Sequence, residues 1–267
     1  MCFPLKGLYS LAVLKFTDSI SIISLCVIKA DTQNPSLTHG EGSCKREGSL
    51  MKFDKTRKLV ICALLLAITL ILGLSPIGYI NIGIVEITLL HIPTIIAAIL
   101  FGVKGGILFG FFFGVTSLIR AFMVPTPFSI ALLGTETGIT WYNIFLIFAI
   151  IFVPRILVGI FSALTFGGLQ KAFNRPAVSA GAAGLVGSLT NTVFFLGFTY
   201  IFAAQILAEA FGTTASGVAT MLFTATGLLN GGIEAFVALI VCAALSAVLL
   251  RIIASITPAS NSQDKVS

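Results

Sequence analysis

From Lys58 onward, apolar runs alternate with short breaks that hold the polar and turn-forming residues. Leu59 to Leu74 is the first run, closed by Ser75-Pro76-Ile77-Gly78. A polar-flecked loop to Glu86 leads into the second, Ile87 to Val103, which Lys104-Gly105-Gly106 interrupts. The third runs from Ile107 to about Phe122, and a turn-rich stretch follows to Asn143 with Pro125, Pro127, Gly134 and Gly138. Ile144 to about Leu169, Val178 to Ala204 and Leu222 to Ile253 complete the set. A helix needs about 20 apolar residues to cross a bilayer, within a range of roughly 17–25. The first three runs sit at the short limit and the others clear it. The pattern predicts an all-α membrane protein with six transmembrane helices.

Composition supports the bilayer as solvent. Hydrophobic residues make up 57% of the 267 positions and charged residues 10%, against about 25% charged in soluble domains. The net charge of +6 would suggest nucleic acid in a soluble protein. Here the basic residues lie between apolar runs, where they act as topology determinants. With the N-terminus inside, Lys52, Lys55, Arg57, Lys58, Lys104, Lys171, Arg175, Arg251 and Lys265 all fall on the cytoplasmic side. The outer loops then hold Glu86, Glu136 and Glu209, with Arg120 near that boundary. Both termini are therefore expected in the cytoplasm. The cysteines (Cys2, Cys26, Cys44, Cys62, Cys242) show neither CxxC nor metal-ligand spacing and read as unpaired.

Residues 1–50 do not match the rest. Gly7 to Ala30 carries Lys15 and Asp18 and makes a poor span, and no clean signal-peptide cleavage site follows it. Residues 31–50 read as unstructured. Met51-Lys52-Phe53-Asp54-Lys55 has the form of a natural start, a short basic stretch before a helix, and Arg46-Glu47-Gly48 fits purine-rich ribosome-binding codons just upstream. The expected organisation is an N-terminal extension at 1–50 with the true start at Met51, a six-helix membrane domain at 51–255, and a short cytoplasmic tail at 256–267.

Ionisable groups at membrane depth are costly, so each is a candidate functional residue. Arg155 lies within Val153-Pro154-Arg155-Ile156-Leu157, Asn191 within Ser188-Leu189-Thr190-Asn191-Thr192, and His91 precedes Pro93. Asn230 and Glu234 are one helical turn apart and share a face. An arginine fork suits a carboxylate or phosphate. The competing reading is structural: Arg155 and Glu234 neutralise each other, Asn191 bonds a neighbouring helix, and His91 fixes a helix start. Ala63-Leu64-Leu65-Leu66-Ala67 sets two small residues one turn apart, a pattern that flattens a helix face for docking. The sequence has no GxxxxGK[ST], HExxH, GxSxG or CxxC motif, so an enzyme is not expected, and no cofactor or metal is implied.

Taken together and in order, these stretches resemble the S components of energy-coupling factor (ECF) vitamin transporters. The resemblance spans Met51 to about Ile253. It rests on Ala63-xxx-Ala67, Leu90-His91-Ile92-Pro93 with Leu100-Phe101-Gly102, Gly110-Phe111-Phe112-Phe113-Gly114, Val153-Pro154-Arg155, Gly187-Ser188-Leu189-Thr190-Asn191-Thr192 and Asn230-Gly231-Gly232-Ile233-Glu234-Ala235. The last stretch departs from the family's Asn-Gly-Ile-Pro-Glu-Ala, with Gly232-Ile233 replacing Ile-Pro and removing a helix-kinking proline.

The likeness is greatest to the pantothenate-type branch, with a cobalamin or dimethylbenzimidazole branch as the nearest rival and folate or another vitamin as further alternatives. It implies a high-affinity vitamin-binding subunit in a bacterial cell membrane. That subunit would work with a transmembrane coupling subunit and two ABC-type ATPases, Ala63 and Ala67 forming the face that docks on the coupling subunit. Arg155, Asn191, Asn230, Glu234, His91 and Arg120 become the candidate substrate-binding set, under outer loops at 75–87 and 121–143. Two other classes stay open: a stand-alone secondary transporter with Glu234 as its proton or sodium site, and a membrane scaffold or lipid-processing protein whose buried charges are purely structural.

Overall fold

The computed structural model describes residues 55–75, 78–82, 85–124, 126–134, 138 and 140–256. The expectations for residues 1–50, the start at Met51, Glu136 and the tail beyond Ile256 lie outside the described residues. The packing discussed below lies in the unit that begins at Ala63.

Helix α1 is Lys55–Leu74, close to the first apolar run. Strands β1, Tyr79–Ile82, and β2, Val85–Thr88, then pair antiparallel, with Tyr79 opposite Thr88 and Asn81 opposite Glu86. A loop and the beginning of a helix were expected in this stretch. The described residues are nearly all helical, but Ile87 and Thr88 belong to a hairpin, and the next helix, α2, starts only at His91 and continues to Met123.

Within α2 the break falls at Gly102 rather than at Lys104-Gly105-Gly106. Gly102 has φ 70° and ψ −160°, a conformation open to a residue without a Cβ. It divides a short arm, in which every residue from His91 to Leu100 is buried, from a longer one. Gly105 and Gly106 stay helical because their lack of a side chain serves contact instead. A Cβ on Gly106 would lie 2.6 Å from the carbonyl carbon of Gly159, and one on Gly159 would lie 2.6 Å from Cα of Gly106. The two helices thus meet backbone to backbone, as small residues permit in membranes.

The turn-rich stretch contains a short helix, α3, Pro127–Leu133. Thr126 caps it with a reciprocal Thr126–Ser129 box, and Pro127 occupies the first turn, where a missing N–H costs nothing. Next comes a continuous helical rod made of α4, Trp141–Leu146, a widened π-type segment, Ile147–Phe152, and α5, Val153–Phe173. Thr140 caps its start, and Asn143 Nδ2 donates to the Leu132 carbonyl at 3.1 Å, tying α4 to α3. Helix α6 is Pro176–Phe211. The last rod joins α7, Ala215–Thr220, a second π-type segment, Met221–Asn230, and α8, Gly231–Ile256.

Four of these stretches are long and apolar enough to cross a membrane among the described residues: His91–Met123, Trp141–Phe173, Pro176–Phe211 and Ala215–Val248. Lys58–Leu74 is a shorter apolar helix. The distribution of exposure fits lipid outside. Ile201, Leu228 and Phe236 are 68%, 74% and 64% exposed, whereas Arg155, Asn191, Asn230 and Glu234 are buried. That arrangement is unfavourable in water, and it suits a chain whose surroundings are as apolar as its core. A core of Leu132, Leu146, Ile150, Ala203, Leu207 and Val218 holds α3, the first π-type segment, α6 and α7 together.

Candidate functional site

Both π-type segments stand immediately before a buried charge. The first ends two residues before Pro154-Arg155 and the second ends at Asn230, one turn before Glu234. A π turn inserts an extra residue into the helical repeat and shifts the side chains that follow it, and such turns often occur at functional sites. Pro154 adds to the effect because it has no N–H for the carbonyl four residues back. That carbonyl, Ile150 O, accepts a hydrogen bond from Arg155 Nη1 at 2.9 Å. The proline therefore leaves an acceptor that orients the arginine beside it.

The Arg155 guanidinium lies over two rings, 4.6 Å from the centroid of Phe195 on α6 and 5.4 Å from that of Phe113 on α2. Ring faces attract cations, most strongly where water is excluded. Both contacts hold the guanidinium at the wall of the cavity described next.

Arg155, Asn191, Asn230, Glu234 and Arg120 line one cavity of about 660 Å³, a size typical of small-molecule sites. Its remaining wall is mostly apolar, with Phe113, Phe195, Leu132 and Leu207 among the lining residues. Glu234 Oε1 accepts two hydrogen bonds from Thr88 at the end of β2, from the backbone N–H at 2.6 Å and from the hydroxyl at 3.1 Å. Asn191 is 7% exposed, and its Oδ1 has no hydrogen-bond partner among the described residues. Gly231 lets α8 approach α6: a Cβ there would lie 2.6 Å from Cγ2 of Thr192. The departure at Gly232-Ile233 leaves α8 helical from its first residue, with open space beside Gly232.

His91 is placed differently. It is fully buried at the first residue of α2 and is not among the residues lining the cavity; the cap position is Leu90, with no side-chain cap bond. Ala63 and Ala67 lie on an exposed apolar strip of α1 with Leu64, Ile68 and Ile71. Sequence reasoning missed Thr88, a single hydroxyl between Ile87 and Leu89, and the rings of Phe113 and Phe195. Among 23 phenylalanines no local signal distinguishes those two.

Comparison with known proteins agrees with this architecture. Residues 57–246 match the family model described as ECF transporter, substrate-specific component. The chain is 32% identical over 209 residues to the pantothenic acid transporter PanT of Lactococcus lactis subsp. cremoris, covering 75% of this chain and 97% of that protein. It is 33% identical over 150 residues to the pantothenate transporter PanT of Leuconostoc mesenteroides, covering 54% of this chain and 68% of that protein. The chain is a multi-pass membrane protein and belongs to the family of substrate-specific components of ECF transporters.

Proposed function

We propose that this chain is the high-affinity pantothenate-binding subunit of an ECF-type importer in a bacterial cell membrane. The observation that carries the reading is Arg155, set over the rings of Phe113 and Phe195 on the wall of a cavity of about 660 Å³. Pantothenate has a carboxylate at one end, an amide in the middle and hydroxyls at the other. A guanidinium edge suits the carboxylate, and Asn191 and Asn230 offer both donors and acceptors to the amide and hydroxyls. The names of the two relatives point to the same vitamin.

In this reading the membrane domain has six helices with both termini cytoplasmic, the bend at Gly102 separating the second from the third. The loop charges support that orientation by the positive-inside rule. Without an ATP-hydrolysing motif of its own, the subunit captures the vitamin and relies on a transmembrane coupling subunit and two ABC-type ATPases for transport. Ala63 and Ala67, exposed on α1, supply the docking face. The test is titration calorimetry of the purified protein with pantothenate. Saturable binding that Arg155→Ala abolishes, in a variant with an unchanged melting profile, supports the assignment; absence of binding to the unmodified protein rejects it.

A further inference from the structure

An anion-binding cavity with a carboxylate in its wall needs an explanation. Glu234 is 6% exposed, and a buried acid beside an anionic ligand is unfavourable unless it meets a part of the ligand that donates hydrogen bonds. Its hydrogen bonds among the described residues go to Thr88, and both fall on Oε1. Thr88, Glu234 and Asn230 all line the cavity, so Oε2 is the oxygen left for a ligand. An ionised carboxylate only accepts hydrogen bonds. It therefore welcomes hydroxyls and repels any acidic group brought to the same place.

We propose that Glu234 is a specificity residue: it accepts the hydroxyl end of pantothenate and rejects the same molecule when a phosphate occupies its primary hydroxyl. The proposal rests on the pantothenate reading and adds a direction to it, with the carboxylate toward Arg155 and the hydroxyls toward Glu234. A phosphate monoester adds up to two negative charges and only acceptor oxygens, at the point where the wall already carries a negative charge. Asn230, one turn away on the same face, can serve either ligand because its amide both donates and accepts. Discrimination therefore falls to Glu234.

Competition calorimetry on the purified full chain in detergent tests this with three ligands: pantothenate, its phosphate monoester and its acetate ester at the same hydroxyl. The unmodified protein is expected to bind the phosphate ester at least about tenfold more weakly than the acetate ester, because like charges at close range are costly. Glu234→Gln keeps the acceptor for Thr88 and removes the charge, so it should shrink that ratio several-fold. Thr88→Val keeps the charge and should keep the ratio. Equal rejection of both esters by the unmodified protein would show that size decides, and would overturn the proposal even if Glu234→Gln failed to fold. An unchanged ratio in folded Glu234→Gln would overturn it as well. If pantothenate binds with dependence on Arg155 while the ratio ignores Glu234, this inference alone fails; if pantothenate does not bind the unmodified protein, both readings fail.

Discussion

Thr88 and Glu234 are 146 residues apart in the chain and joined by two hydrogen bonds, from the Thr88 backbone N–H at 2.6 Å and its hydroxyl at 3.1 Å, both to Glu234 Oε1. The pair ties the end of the hairpin to the first turn of α8, and both residues line the cavity. This link between β2 and α8 is polar, and it lies in the wall of the cavity.

Thr88→Val removes the hydroxyl bond and leaves the backbone one. A hydrogen bond to a charged acceptor contributes about 1.5–3 kcal/mol, and the partial exposure of Thr88 puts the expectation at the lower end. The variant should melt earlier without ligand and release pantothenate faster, because the hairpin is held less firmly. Differential scanning fluorimetry and a dissociation time course check the two effects. An unchanged dissociation rate would mean that the hairpin does not limit ligand exit.

Arg155→Lys separates charge from shape. Lysine keeps the positive charge but loses the planar fork and its delocalised face over Phe113 and Phe195. Weakening by at least about tenfold, or about 1.4 kcal/mol, is expected, with Arg155→Ala weaker still. Titration with pantothenate reads both. If lysine restores full affinity, the two rings and the Ile150 carbonyl are not orienting the side chain for its ligand.

The parts of this site that could be read from the chain alone are those that offend the membrane. Arg155, Asn191, Asn230 and Glu234 stand out because an ionisable or amide group is expensive in an apolar run, and all four reach one cavity. Conspicuousness has limits, since His91 is equally out of place in its run and lies away from the lining. Thr88 was hidden because its role depends on chain reversal between Ile82 and Val85, which no apolar periodicity reveals. The helix break was misplaced by two residues because glycine serves two purposes here. Gly102 supplies a positive φ, while Gly106 supplies the absence of a side chain at a backbone contact. Composition does not distinguish those uses. The π-type segments before Pro154 and Glu234, equally, have no propensity signature.

The Gly106–Gly159 contact makes a strong stability prediction. A methyl on either residue would collide with the backbone of the other helix, and neither backbone can move without dragging a helix that also lines the cavity. Overpacking of this kind costs about 1–3 kcal/mol. Gly106→Ala and Gly159→Ala should each lower the melting temperature, and the double variant should lose less than the sum because the first separation already relieves the second. Gly167→Ala and Gly168→Ala, which have open space around them, serve as controls and should be neutral or mildly stabilising, since alanine is the better helix former. Equal melting of all variants in detergent would mean that α2 and α5 do not rely on this contact.

Ala63 and Ala67 test assembly separately from binding. Both lie on the exposed strip of α1, and neither lines the cavity. Ala63→Trp and Ala67→Trp add bulk to a face that the proposed coupling subunit would need flat. Ligand affinity of the isolated subunit should stay within about twofold, because surface substitutions away from a site rarely exceed about 0.5 kcal/mol. Co-purification with a coupling subunit and its ATPases should fall steeply, and uptake in cells expressing the whole assembly should fall with it. The two readouts must separate for the docking face to stand. Loss of ligand binding together with assembly would place the damage in the fold, and normal assembly of both variants would move the docking surface elsewhere on the molecule.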